Sequence, residues 1–343
     1  MECFRGHLWS GVAEAGGRPL YLGVDVGSVS TNLVLMDDGG SVHAEKYLRT
    51  YGQPIQAIQE GLRELARDWT GTQIDGVGTT GSARYLAGVI VGADVVKNEI
   101  TAHAVASLQE IPDVQTVLEI GGQDSKIIIL RNGVAVDFAM NTVCAAGTGS
   151  FLDQQANRLR IPIEEFGDLA VGSHAPVRIA GRCTVFAESD MIHKQQMGYS
   201  REDIVAGLCE AMVRNYLNNL GKGKEILPPV AFQGGVAANK GIRAAFEKEL
   251  GCPITIPEHY QVMGAVGGAL LAKERMEADP YQTAFKGFDL AEWKFQTSGF
   301  ECDGCSNCCE IVEIREEGKL IARWGDRCGK WQLSEKSEIV EHC

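Results

Sequence analysis

Two stretches of the chain share one pattern of apolar and polar positions. Residues 22–31, LGVDVGSVST, and 118–126, LEIGGQDSK, each run through apolar or β-branched residues, turn at an acid-plus-glycine element, and return into a second apolar run at 33–36 and 127–130. That pattern predicts two hairpins whose turns offer backbone N–H groups to an anion. Around the first, the pattern adds a strand near 43–50, a helix over 55–69, a strand over 74–79, a Thr80-Gly81 turn and a short helix. The order is β-β-β-α-β-α. A helix over 100–108 leads into a second copy that starts with a strand over 117–120, so the expected fold is α/β, two duplicated lobes around a nucleotide cleft. Further on, an apolar strand over 230–232 runs into Gly234-Gly235-Val236-Ala237-Ala238-Asn239, followed by a helix over 240–250, a short strand over 254–256 and a helix over 263–276, glycine-studded on one face. The expected division is a leader over 1–19, a first lobe over 20–100 completed by the helix near 262–276, a second lobe over 101–261, and a Cys-rich extension over 277–343.

The turns carry candidate phosphate chemistry. Asp25 and Asp124 stand where a carboxylate holds Mg²⁺ through its waters or orders an attacking water, and Ser28, Ser30, Thr31 and Ser125 supply hydroxyls. Gly27, Gly121 and Gly122 supply the turns, and Gln123 either orients a water or is a solvated turn amide. Gly234, Gly235, Val236 and Asn239 suit a purine or ribose, because a glycine turn approaches a flat ring closely. Gly147, Thr148 and Gly149 either reach phosphate or form a capped helix start. The plain alternative is an ordinary hairpin, whose turn favours Asp and Gly in any case.

Composition narrows the class. A chain of 343 residues with 45% hydrophobic content can build two cores and a small appendage, and a formal charge of −13 argues against nucleic-acid or anionic-membrane surfaces. No apolar stretch approaches the roughly 20 residues of a membrane span. Residues 1–18 lack a signal-peptide core and read as a loose leader, so the cytoplasm is the expected compartment. Eleven cysteines are many for that compartment, where thiolate or metal chemistry outweighs disulfides.

The motifs DVGS, NEITAHA, EIGGQDSK and GG, spread over residues 21–276, resemble the actin, sugar kinase and heat-shock-protein-70 superfamily of ATPases. Within it, NTVCAAGTGSFLD and GRCTVFAESDMI resemble the BadF/BadG/BcrA/BcrD-type ATPases, the activators of 2-hydroxyacyl-CoA dehydratases and ATPase subunits of benzoyl-CoA reductases. The resemblance implies an actin-like (ribonuclease H-like) fold, ATP/ADP with Mg²⁺, and coupling of ATP hydrolysis to one-electron transfer. It also implies an external low-potential electron donor and a dehydratase or related reductase as acceptor. Glu99, in the NEITAHA segment, resembles the glutamate ahead of the second phosphate loop in heat-shock-type ATPases. It either touches a Mg²⁺-bound water or complements a helix dipole.

Cys144 and Cys183 each precede a helical pattern, where the dipole favours the thiolate that metals require. The resemblance implies that a two-fold homodimer joins both pairs around one [4Fe–4S] cluster. The alternative is that both are small buried hydrophobes. The tail is separate: Cys302, Cys305, Cys308 and Cys309, with Cys328 nineteen residues on, have the short spacing of zinc or iron–sulfur ligands and depart from the minimal activator pattern. Two rival functions share parts of this sequence: a small-molecule kinase of the same superfamily, and a nucleotide-dependent assembly or sensor protein with structural zinc.

Overall fold

The computed structural model describes residues 18–141, 143–331 and 333–334. Up to residue 17 the expected leader lies outside them. A first sheet contains β1 (Leu20–Val26), β2 (Ser30–Asp37), β3 (Val42–Arg49), β4 (Gly76–Thr80) and β5 (Val95–Val96), in the order β3-β2-β1-β4-β5. A second contains β6 (Thr116–Ile120), β7 (Ser125–Arg131), β8 (Val134–Asn141), β9 (Val230–Gln233) and β10 (Ile254–Thr255), in the order β10-β9-β6-β7-β8. Read from the opposite edge, the second order repeats the first. In each sheet the first three strands are antiparallel and the crossover strands parallel.

The centre of the first sheet, β1, β2 and β4, is buried on both faces because helices cover both, and the edge strand β3 alternates half-buried with exposed positions. Leu22, Val24, Leu33 and Leu35 point toward α1 (Pro54–Trp69) and α2 (Arg84–Val91), whereas Tyr21, Val34 and Met36 point to α9 (Met263–Ala278), the two-residue alternation of a pleated strand. α9 carries glycine on its packing face, and the spacing is at backbone contact. A Cβ on Gly78 of β4 would fall on the Gly268 carbonyl, and one on Gly267 would fall on the Ala102 carbonyl of α3 (Glu99–Glu110). α3 starts at Asn98, whose side chain accepts from Thr101 N, 2.9 Å.

The lobes differ in what joins their third and fourth strands. The first has α1 alone. The second inserts a turn at Ala145–Gly147, then α4 (Gly149–Leu159), α5 (Ile163–Val171), α6 (Thr184–Gln196) and α7 (Arg201–Tyr216), and α8 (Lys240–Leu250) follows β9. α7 is apolar nearly all round, and its buried Val205, Leu208, Met212 and Tyr216 fill the centre of the second core.

After α9 the chain forms a small antiparallel sheet of β11 (Phe295–Glu301), β12 (Glu310–Glu316), β13 (Lys319–Trp324) and β14 (Leu333–Ser334). It shares its core with the first lobe: Leu290, Ala291, Ile314 and Ile321 join the cluster of Ile58, Leu62 and Leu65. Gln59 Nε2 donates to the Leu290 and Trp293 carbonyls at 3.2 and 2.8 Å, and Arg63 to the Ala291 carbonyl at 3.0 Å. No helix among the described residues is long and apolar enough to cross a membrane.

Candidate nucleotide cleft and cysteine loops

The two hairpin turns close in the same way. Gly27 N donates to Ser30 O at 2.9 Å, and Gly121 N to Asp124 O at 3.0 Å. Both glycine amides are therefore used by the turns themselves, and the tips Ser28-Val29 and Gly122-Gln123 face a cavity of about 300 Å³ between the lobes. Among the expected site residues, Asp25, Gly27, Ser28, Ser30, Glu99, Gly121, Gly122, Gln123, Asp124, Gly234 and Gly235 line that cavity. Thr31, Ser125, Val236 and Asn239 stand behind it. Thr31 bonds Thr50 at 3.0 Å, and Asn239 caps α8 by accepting from Ile242 N at 3.0 Å.

Strand register aligns the two floors. With Gly27 matched to Gly121, Asp25 corresponds to Glu119, each two residues ahead of its glycine, and Asn32 corresponds to Lys126. Each acid-bearing strand is met by a left-handed glycine after the fourth strand of its lobe. Gly81 (φ 94°) sits against Val26 O and the Asp25 carboxylate, and Gly234 (φ 86°) against Ile120 O and the Glu119 carboxylate. Glu119 and Lys126 escaped the sequence reading, although the repeated acid-x-Gly spacing was the available signal.

Lys126 holds the second floor together. Its Nζ lies 2.7 Å from Asp124, 3.0 Å from Glu99 and 3.1 Å from Glu119. Burial pulls this ammonium down, but Glu119, Asp124 and Glu99 more than reverse that and hold it well above the usual lysine range. One cation cannot neutralise four neighbouring carboxylates. Burial, then Glu99, pushes Asp25 up to about 7 against the opposing pull of Lys126. Burial likewise lifts Glu119 to about 8, with Lys126 opposing and Asp124 reinforcing. His103, buried and then repelled by Lys126, is depressed to about 3, so it stays a neutral acceptor or donor to Gln233, 2.8 Å away. The hard oxygen set on this floor suits Mg²⁺. Asn32 Oδ1, buried there, has no hydrogen-bond partner among the described residues, which suits a donor on a bound group. At the other end, Tyr47 of β3 and Tyr260 flank Gly234 and Gly235, giving flat apolar walls with polar tips.

Behind the second phosphate turn the cysteine loops begin. Gly149 N donates to Gly121 O at 2.9 Å, and Ser150 donates to Gly122 O through both its amide, 2.8 Å, and its hydroxyl, 2.5 Å. The α4 N-terminus is thus capped by carbonyls of the phosphate turn, and Thr148 instead bonds back to Ala145 O at 2.9 Å. Gly147, Thr148 and Gly149 lie outside the cavity lining. Cys144 is clamped by Asn141, which donates to its carbonyl at 2.7 Å and accepts from its amide at 2.9 Å. Cys183 is the N-cap residue of α6. Asn215 of α7 lies between the loops: it donates to Gly181 O at 2.5 Å and its Oδ1 faces Gly147. Next to it, Tyr216 donates to the Lys126 carbonyl at 2.5 Å. Both thiols are partly exposed, beside the exposed side chains of Val143, Val185 and Phe186. Among the described residues, no group of three or more His, Cys, Asp or Glu side chains is already assembled for a metal. Among the described residues, these two loops carry two thiols, Cys144 and Cys183.

Two like lobes that face acid–glycine turns across a shared cleft define an ATPase of actin-like fold. Residues 22–272 match the BadF/BadG/BcrA/BcrD ATPase family, and the chain belongs to that family. It is 36% identical over 261 residues to the (R)-2-hydroxyglutaryl-CoA dehydratase activating ATPase of Acidaminococcus fermentans, covering 74% of this chain and 97% of the relative. It is 34% identical over 258 residues to the 2-hydroxyisocaproyl-CoA dehydratase activator of Clostridioides difficile, covering 73% and 94%. The solved structure of the activator of the 2-hydroxyisocaproyl-CoA dehydratase from Clostridium difficile with bound ADPNP superposes with a TM-score of 0.69 at 32% identity, covering 76% of this chain and 96% of that one.

Proposed function

We propose that this chain is a cytoplasmic ATP-hydrolysing activator that takes a low-potential electron from an external donor and delivers it to a 2-hydroxyacyl-CoA dehydratase or benzoyl-CoA-reductase-like partner. The observation that carries this reading is the hydrogen bonding of Gly149 and Ser150, just beyond Cys144, to the carbonyls of the second phosphate turn. The names of the relatives give the partner class. Cys144 and Cys183 from two copies of the chain would hold a [4Fe–4S] cluster. Their fit rests on the donor chemistry: soft sulfur ligands at partly exposed helix starts, in a pair that needs a second pair. When bound, the cluster supplies a one-electron store.

The chain's own residues do the rest. Amides at 28–29 and 122–123 grip phosphate oxygens, Asp25 and Asp124 hold Mg²⁺ through waters, Glu99 orders one of those waters, and Gln123 aligns the attacking one. Gly234 and Gly235 seat adenosine between Tyr47 and Tyr260. A rearranged Gly121-Gly122 peptide drags the α4 N-terminus with it, and the Arg158–Glu188 pair, 2.6 Å, carries the shift from α4 to α6.

The test compares anaerobically purified wild type with Cys144→Ala, reading iron, acid-labile sulfide, the reduced-cluster spin signal with and without nucleotide, and reduction of a dehydratase. Wild type is expected to hold about four irons per two chains that Cys144→Ala loses, and to change its spin signal with nucleotide. Iron that survives Cys144→Ala unchanged, or a signal and transfer rate indifferent to nucleotide, defeats the proposal.

A further inference from the structure

The family match ends at residue 272, before the C-terminal sheet, so the chemistry of that sheet is a separate question. Its cysteines sit on two loops joined by the Trp331–Cys302 contact, and among the described residues no three of them are already gathered for a metal. Residues 302–309, which join β11 to β12, carry four of them, and Cys302 N donates to Cys309 O at 2.8 Å, placing the two opposite each other at the base of the turn. The Cys302 sulfur is buried and receives two N–H donors: Gly304 N at 3.4 Å and Trp331 Nε1 at 3.1 Å. An amide two residues on, turned back onto the first sulfur of a Cys-x-x-Cys run, is the outer hydrogen bond that orients a metal-binding sulfur.

The second half of the turn repeats the spacing under strain. Cys308 N donates to Cys305 O at 3.2 Å, and Cys308 is held at φ 42°, a conformation costly for a residue with a side chain. The fifth thiol arrives from the other side. Asp326 accepts from Trp331 N at 3.0 Å and faces the Cys328 sulfur at 3.6 Å, so the loop that bears Cys328 also brings the indole onto Cys302. Arg323 and Lys330 each stack on the Trp331 ring at 5.1 Å, gathering positive charge around sulfurs in an otherwise acidic chain. Core packing does not explain the set, since Cys305, Cys308 and Cys328 are exposed, and none of the five forms a disulfide.

We propose that this end of the appendage is a tetrathiolate site for one thiophilic metal centre, zinc or iron–sulfur. Its ligands are Cys302, Cys305, Cys328 and one of the adjacent pair Cys308 and Cys309. Cys302 is the preorganised ligand. The exposed thiols rotate onto the metal as it binds, coupling metal uptake to ordering of the turn.

The test uses the full chain purified anaerobically, as wild type, Cys305→Ser, Cys328→Ser and Cys144→Ala, with zinc, iron and acid-labile sulfide measured after dialysis against a mild chelator. About one metal centre per chain is expected beyond the one lost in Cys144→Ala. Both serine variants, at exposed positions, are expected to retain at least tenfold less of it with unchanged far-ultraviolet circular dichroism. Iron with matching sulfide identifies a cluster, and metal without sulfide identifies zinc. Wild type with no metal beyond the Cys144-dependent fraction overturns the proposal, as does full retention in both serine variants, and neither result bears on the activator reading.

Discussion

The two lobes have the same strand order, the same turn-closing hydrogen bond and the same left-handed glycine against the same acid, yet their floors and insertions differ. In the first lobe, Asp25 faces neutral Asn32. In the second, Glu119 faces Lys126, which also gathers Asp124 from the hairpin turn and Glu99 from outside the duplicated core. The first lobe fills its third crossover with one helix. The second fills it with four, and this insertion carries both central cysteines, Cys144 ahead of the Ala145–Gly147 turn and Cys183 at the start of α6. Duplication thus supplied a symmetric pair of turns across the cavity, and divergence concentrated charge and sulfur on one side.

Substituting at the matched floor positions tests that asymmetry most strongly. Lys126→Ala leaves the Asp124 and Glu99 carboxylates facing each other without their shared counter-charge and is expected to cost about 3–5 kcal/mol, whereas Asn32→Ala is expected to cost about 1 kcal/mol. Urea unfolding of the two variants reads the difference, and equal losses would erase the distinction between the floors.

Proton uptake gives a smaller contrast. Folded Asp25 and Glu119 keep their protons to about 7 and about 8, while unfolded carboxylates release theirs near about 4. Between those values the folded state binds more protons, so the nucleotide-free protein loses stability as pH rises from about 5 to about 8. Asp25→Asn is expected to recover on the order of 2 kcal/mol at the upper end while ATPase activity falls; thermal melts across that range, with and without Mg²⁺-nucleotide, check the slope. A flat profile for wild type would contradict the floor electrostatics.

The gentlest probe lies at the junction with the inserted helices. Ser150→Ala removes one hydrogen bond to Gly122 and is expected to cost about 1 kcal/mol. Amide exchange at the start of α4 should then respond less to nucleotide than in wild type, with α2 in the other lobe as the internal control.

The duplicated fold was legible because it depends on local alternation: residues 22–36 and 118–130 bury both faces and must turn at glycine. Most of the hairpin positions that line the cavity followed from those turns. Lys126 and Glu119 stayed hidden because their meaning is set by strand register and by Glu99 arriving on α3, neither of which is local. Helix α7 was missed as a connector for a similar reason. Asn215 and Tyr216 look like ordinary helix residues until Gly181, Gly147 and Lys126 are seen around them. The C-terminal strands were masked by charged positions among the apolar ones, such as Glu313 beside Ile314; there Arg315 and Arg323 pair with the glutamate and hold it below the usual carboxylate range.

The contact of Gly267 with Ala102 has a mechanical corollary. The backbone passes between lobes along α3 and again ahead of α9, and these two crossings touch with no side chain between them. They form a single bearing: a cleft that opened and shut would pivot there, with sideways sliding blocked by interlocked peptides. A bulky residue wedged at that bearing would jam the jaws at one angle, however intact the sites on either jaw.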